Sequence, residues 1–217
     1  MKRGRTQAER STATRQALVE AAVRQLIAHG YAGMTVRTIA RQGGVSPGAL
    51  QYHFKCKEDL AIAALAHLFE EAARRLAVPE PRTAAIDERA RCIVDALWAF
   101  YGGPRYVAAL EVLVGTRPQA ALHRRIRAAR LSLAVAYRDM WDRVMGEAPL
   151  ELADRRYLLQ FVTATLRGLA LLRLHERDPE LLDPHLARLR DLVASAMRDG
   201  GAAGRVQERA RETSANR

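Results

Sequence analysis

Apolar residues in this chain recur at three- and four-residue spacing, and nowhere along its 217 residues do they alternate with polar ones in strand fashion. Val19, Ala22, Val23, Leu26 and Ile27 form one stripe; Leu122, Ile126, Leu133, Tyr137, Met140, Trp141 and Val144 form another. A 3.6-residue period gathers such side chains on one face of a helix, whereas a half-buried strand needs a period of two. The chain is thereby restricted to helix-on-helix packing. Its wealth of Ala, Leu and Arg agrees, because these side chains lose little rotamer freedom in a helix.

Glycine and proline divide the helical pattern. Residues 1–11 are polar and basic and read as an arm; a first helix is expected from about Thr14 to Gly30. Thr35 caps a short second helix that Gly43-Gly44 ends. Ser46 caps a third, with Pro47 at the first helical position, where its missing N–H costs nothing. A fourth helix opens at Lys57-Glu58-Asp59 and ends near Val78, before Pro79-Glu80-Pro81. Five more are expected at about 84–101, 104–115, 118–146, 152–177 and 180–198. The expected organisation is all-α with about nine helices. It has a three-helix unit with a basic arm (1–56), a larger helical domain (57–199) and a disordered polar tail (200–217).

Charge narrows the function. The chain carries +11, and residues 1–57 hold ten Lys/Arg against Glu9 and Glu20, so +8 of it is N-terminal. Such a balance suits a polyanion, either nucleic acid or an anionic membrane surface. The longest apolar run is seven residues, Leu60 to Ala66, too short to cross a bilayer, and MKRGRTQAER has no apolar signal core. Cys56 and Cys92 show no disulfide or CxxC pattern. A cytoplasmic protein with no membrane partner is expected.

Two short helices joined by a glycine turn within a basic segment match a helix-turn-helix. The stretch Gly30 to Leu60, GYAGMTVRTIARQGGVSPGALQYHFKCKEDL, resembles the DNA-binding signature of the tetracycline-repressor (TetR) family. The matching elements are Gly30-Tyr31, Thr35 with Ile39-Ala40, Gly44-Val45-Ser46 and Gly48-Ala49-Leu50. They continue through Tyr52-His53-Phe54 and Lys55-x-Lys57-Glu58-x-Leu60. Gln51 stands where an aromatic is frequent, and Cys56 where a small polar residue is frequent.

Position assigns roles within such a motif. Thr35 and Ser46 cap helices whose N-terminal N–H groups suit phosphate. Pro47 and Ala49 present short apolar groups to thymine methyls, Gly48 lets the backbone approach DNA, and Gln51 suits a bidentate pair with adenine. Arg37, Tyr52, His53 and Lys57 are candidate phosphate donors, which fix register without reading sequence. For Tyr52 and His53, packing within the domain is the alternative; Ile39, Leu50 and Phe54 are expected in the core.

The resemblance implies further properties. Family members pair through their last two helices, here 152–177 and 180–198. They release a double-stranded DNA operator when a small-molecule effector in the C-terminal domain moves the fourth helix. By position, Trp98, Tyr101, Tyr106, Leu110, Glu111, Tyr137, Trp141 and Phe161 are candidates to line an effector pocket, with Arg167 and Arg117 as anchors for an anion. Aromatic residues at this spacing serve equally as ordinary core.

Enzymatic readings do not hold together. Gly44 to Gly48 spells GxSxG, but a nucleophile elbow needs a strand before its serine. The six histidines lack metal-ligand spacing, and no phosphate-binding glycine loop occurs, so no catalytic, metal or cofactor site is expected. Cys56, flanked by Lys55 and Lys57, is either a low-pKa oxidant sensor or an exposed bystander. The expected function is a repressor that binds a pseudo-palindromic operator as a homodimer. The alternatives are an architectural protein that binds DNA by charge alone and a helical adaptor for an acidic protein.

Overall fold

The computed structural model describes residues 6–76, 85–146, 148–176 and 178–199. Among these residues there are nine α-helices, one 3₁₀ turn and no strand. The helices are α1 (Gln7–Gly33), α2 (Val36–Gln42), α3 (Pro47–His53), α4 (Lys57–Leu76) and α5 (Ile86–Tyr101). They continue as α6 (Pro104–Gly115), α7 (His123–Met145), α8 (Leu152–His175) and α9 (Pro179–Asp199). The all-helical class expected from periodicity is the one observed. The arm at 1–5, the Pro79–Pro81 break and the tail at 200–217 lie outside the described residues.

Two boundaries differ from expectation. The first helix begins at Gln7 rather than near Thr14, because Thr6 and Glu9 form a capping box. The Thr6 hydroxyl accepts from the Glu9 N–H at 3.2 Å while the Glu9 carboxylate accepts from the Thr6 N–H at 2.8 Å. The segment expected to be one helix from 118 instead opens with a 3₁₀ turn at Ala120–Leu122, and α7 proper starts at His123.

The chain forms two compact units, Met1–Ala73 with Pro104–Leu133, and Arg74–Gly103 with Ala134–Arg217. In the first, α1 packs against α2 and α6, and α2 against α3. Its core holds Leu18, Leu26, Met34, Ile39, Leu50, Leu60 and Leu65, all essentially without solvent contact. Burying a side chain of this size stabilises by roughly 1.5–3 kcal/mol before the entropy of ordering it. In the second unit α5 packs against both α8 and α9, and α8 against α9. Arg190 on α9 clamps Asp95 on α5 through Nε at 3.0 Å and Nη2 at 2.6 Å. The α7–α8 turn is closed by Arg155, whose guanidinium donates to the carbonyls of Leu150 (2.9 Å) and Ala148 (3.1 Å). The buried Arg89 guanidinium donates to the Val144 carbonyl.

Candidate nucleic-acid interface

The turn between α2 and α3 is built by local rules. Gly44 adopts φ +67°, the left-handed conformation that a Cβ disfavours. That lets the Val45 N–H return to the Ala40 carbonyl at 3.0 Å and the Gly44 N–H to the Arg41 carbonyl at 3.3 Å, the paired bonds of a Schellman motif. At the two helix starts, the Thr35 hydroxyl accepts from the Thr38 N–H and the Ser46 hydroxyl from the Ala49 N–H, each at 3.2 Å. Pro47 follows at the first turn of α3. Ile39, Leu50 and Phe54 are buried and anchor the pair of helices.

What remains of α3 faces solvent. Ser46, Pro47, Gly48, Gln51 and Tyr52 are exposed, while Ala49 and His53 are half-buried. Tyr52 is 75% exposed and stands edge-on to the His53 ring, with centroids 5.2 Å apart. A Cβ placed on Gly48 would meet no atom within 4 Å, so nothing within the protein covers that backbone. Thr35 and Arg37 are exposed at the start of α2. The candidate DNA residues thus share a short, open, rigidly capped segment. Lys57 is half-buried at the start of α4; its ammonium lies 4.6 Å from the centroid of the Tyr31 ring and donates to the Ala32 carbonyl at 3.3 Å.

Several structural partners here were not evident from local pattern. Tyr31 sits at the end of α1, just after Gly30, whose φ of +68° breaks the helix. The Tyr31 N–H donates to the Glu111 carboxylate at 2.7 Å. A Cβ on Gly30 would collide with that carboxylate, and one on Gly115 with the Tyr31 ring. Two residues one turn apart on α6 therefore grip the end of α1, and Tyr31 in turn carries Lys57. Burial, then the nearby Glu58 charge, raises the pKa of the Tyr31 phenol. The Gly30-Tyr31 pair signals a helix end in the sequence, but nothing local to it names Glu111.

Asp59 on α4 pairs with Arg125 on α7 at 2.8 Å and accepts from the Lys55 N–H at 3.1 Å. Desolvation pushes the Asp59 carboxyl upward, but the Arg125 hydrogen bond and charge, with those of Cys56 and Lys55, hold it below its usual range. Cys56 is exposed, yet partial desolvation of its thiol, helped by the Glu58 and Asp59 carboxylates, raises its pKa. This is opposite in direction to the low-pKa oxidant sensor, because desolvation first and the adjacent carboxylates second disfavour the thiolate.

The candidate effector residues separate. Tyr106, Leu110 and Glu111 belong to the first unit, where Tyr106 is buried and Glu111 holds Tyr31. Arg117 is an exposed residue of that unit too. Trp98, Tyr101, Tyr137, Trp141, Phe161 and Arg167 belong to the second. There the Tyr101 and Tyr137 rings are 6.0 Å apart, and Arg167 lies over the Tyr101 ring at 5.5 Å and donates to its hydroxyl at 3.3 Å. Trp141, one turn beyond Tyr137 on α7, is 1% exposed, and its indole N–H has no acceptor among the described residues. Trp98 is half-buried beside Gly102, with the Arg173 guanidinium 6.0 Å from the centroid of its ring. Phe161 is 45% exposed on the surface of α8.

Comparison with known proteins identifies this arrangement. Residues 18–64 match the family model for bacterial regulatory proteins of the tetR family, spanning the end of α1, the helix-turn-helix and the start of α4. The helix-turn-helix segment of the chain is thus of the tetR type. The chain is 28% identical over 176 residues to the HTH-type transcriptional regulator CymR of Pseudomonas putida, covering 81% of this chain and 87% of CymR. Among solved structures, a TetR regulator from Haloarcula marismortui superposes with a TM-score of 0.67 at 22% identity, covering 86% of this chain and 98% of that one. The multidrug binding protein EbrR, complexed with ethidium, does so with a TM-score of 0.55 at 25% identity, covering 81% and 97%. The chain is accordingly a transcriptional regulator of the helix-turn-helix type and not an enzyme.

Proposed function

We propose that this TetR-family regulator is a repressor that binds a pseudo-palindromic operator as a homodimer and releases it when a small molecule occupies its second unit. The observation that carries the reading is the solvent-facing side of α3. It combines two capped helix starts, an uncovered Gly48 and the exposed Gln51 and Tyr52 on one short helix. Gln51 reads a base, while Thr35, Arg37, Ser46, Tyr52, His53 and Lys57 position the backbone. Pro47 and Ala49 supply the apolar contacts.

Pairing is supported by α8. Tyr157, Phe161, Gly168 and Leu172 form an exposed stripe at helical spacing, and a Cβ on Gly168 would meet nothing within 4 Å. On α9, Leu181 and Leu192 are likewise exposed. A two-fold pair that reads a pseudo-palindrome needs its two copies of α3 about 34–36 Å apart, one turn of DNA. Functionally the chain divides as 1–56 for DNA, 57–199 for pairing and effector, and 200–217 as a tail, in a cytoplasmic protein. Effector binding is assigned to the cluster of Tyr101, Tyr137, Trp141 and Arg167, where a ligand acceptor would satisfy the buried indole N–H. EbrR's complexes with small molecules lend this support by family likeness.

The test is selection from a random duplex library. Enrichment of an inverted repeat, bound at least ~10³-fold more tightly than random duplex, is expected. Binding of equal strength to every sequence would replace this reading with charge-driven architectural binding.

A further inference from the structure

About half of the first unit's positive charge comes from an unexpected segment. Residues 1–73 hold ten Lys/Arg against six Asp/Glu. Residues 104–133, far away in the sequence, contribute six Arg against the single Glu111. Five of these arginines lie within residues 117–130, which contain no acid. Arg117, Arg124, Arg127 and Arg130 are all exposed, and none is in an ion pair among the described residues.

Their placement follows from two ties to the start of α4. Arg125 pairs with Asp59 at 2.8 Å, and the Gln119 side chain hydrogen-bonds to Glu58. Lys57 is the neighbouring residue on α4. Arg125 also opens, with Arg15 of α1 and His53 at the end of α3, onto a groove of about 500 Å³ floored by Phe54 and Ile62. The first turns of α7 therefore border the same surface as the end of the reading helix. On α7 itself the cations are locally unfavourable. Arg124, Arg127 and Arg130 succeed one another at i, i+3 spacing, so like charges face each other, and Arg124 sits in the first turn at the positive end of the helix dipole. An external polyanion would reverse both penalties, since helix N-termini and arginines each favour phosphate.

We propose that Arg117, Arg124 and Arg127 form a second DNA surface that engages phosphates flanking the half-site and reads no base. The inference rests on α3 being the recognition helix. Its test is salt-dependent binding of the full-length protein to the selected operator, on a duplex of the operator alone and on one extended by ten base pairs at each end. The wild type should bind the longer duplex more tightly. Arg124→Gln/Arg127→Gln, which removes four contacts per dimer, should lose that gain and flatten the slope of log affinity against log salt by about 3.6, with the ratio of operator to random affinity unchanged. Arg156→Gln, combined with Arg138→Gln to match the lost charge at exposed positions of the other unit, should keep the wild-type slope. An Arg124→Gln/Arg127→Gln variant that retains the wild-type slope and length gain overturns the proposal while leaving α3 as the reader. So does a slope that falls equally in Arg138→Gln/Arg156→Gln, which would mean net charge alone. Failure of the wild type to prefer any sequence overturns the reading of α3 as well.

Discussion

Gly30 shows how much a single position can be asked to do. Its φ of +68° with ψ of 179° is a backbone state open essentially to glycine, and the Glu111 carboxylate occupies the space a methyl would need. Gly30→Ala should cost about 1–3 kcal/mol from the backbone conformation alone, read as a lowered denaturant midpoint. Adding Glu111→Ala should recover part of the collision and none of the backbone cost, so the double variant should be less destabilised than the two singles summed. Strict additivity would show that the carboxylate does not press on residue 30. Ser46→Ala is a simpler case: losing one N-cap acceptor should lower stability by about 1 kcal/mol. Gln51→Ala, exposed and without a core role, should leave stability unaltered and cost about 1–3 kcal/mol of discrimination at one base pair. An unaltered operator in a selection with that variant would remove Gln51 from the readers.

Between elements, the pairing of α4 with α7 carries a pH dependence of definite sign. Asp59 has a pKa below its unfolded value, so its ionised form favours the folded state. That contribution is complete above the unfolded carboxyl value of about 3.9 and disappears as pH falls through the lower folded value. The pair is partly exposed, which limits it to roughly 0.2–1 kcal/mol. Denaturant titrations of the wild type and Asp59→Asn should therefore differ at pH 7 and converge on acidification to below pH 3. A difference that persisted at low pH would assign the effect to packing and not to the ion pair. The grip of α6 on α1 is of another kind: Glu111 and Gly115 act through a hydrogen bond and a ring contact, so it should be insensitive to salt.

In the proposed dimer the molecule as a whole meets DNA only as well as it pairs. Tyr157 is 65% exposed and Phe161 45%, a poor use of two aromatics unless another surface covers them. Tyr157→Glu/Phe161→Glu should halve the mass seen by light scattering and keep the helical circular dichroism. Losing the second tethered half-site should weaken operator binding on the order of 100-fold or more. A dimeric mass retained by this variant would place the pairing surface elsewhere.

Much of this was written locally. The 3.6-residue period, the glycine turn and the cap residues depend on neighbours within a few positions, so α2, the Schellman turn and α3 were legible, as were the residues they turn outward. Side-chain partners depend on which distant surface closes over a face, and no local pattern records that. On α8 the apolar residues divide, Val162 and Leu169 buried and Phe161 and Leu172 left exposed. Glu111 fits an inward-facing pocket residue by periodicity but is taken by the end of α1, eighty positions earlier. The charge of the first unit was hidden for the same reason: along the chain the N-terminus and the arginines of 117–130 are far apart, and only the fold ties Arg125 to Asp59, two residues from Lys57.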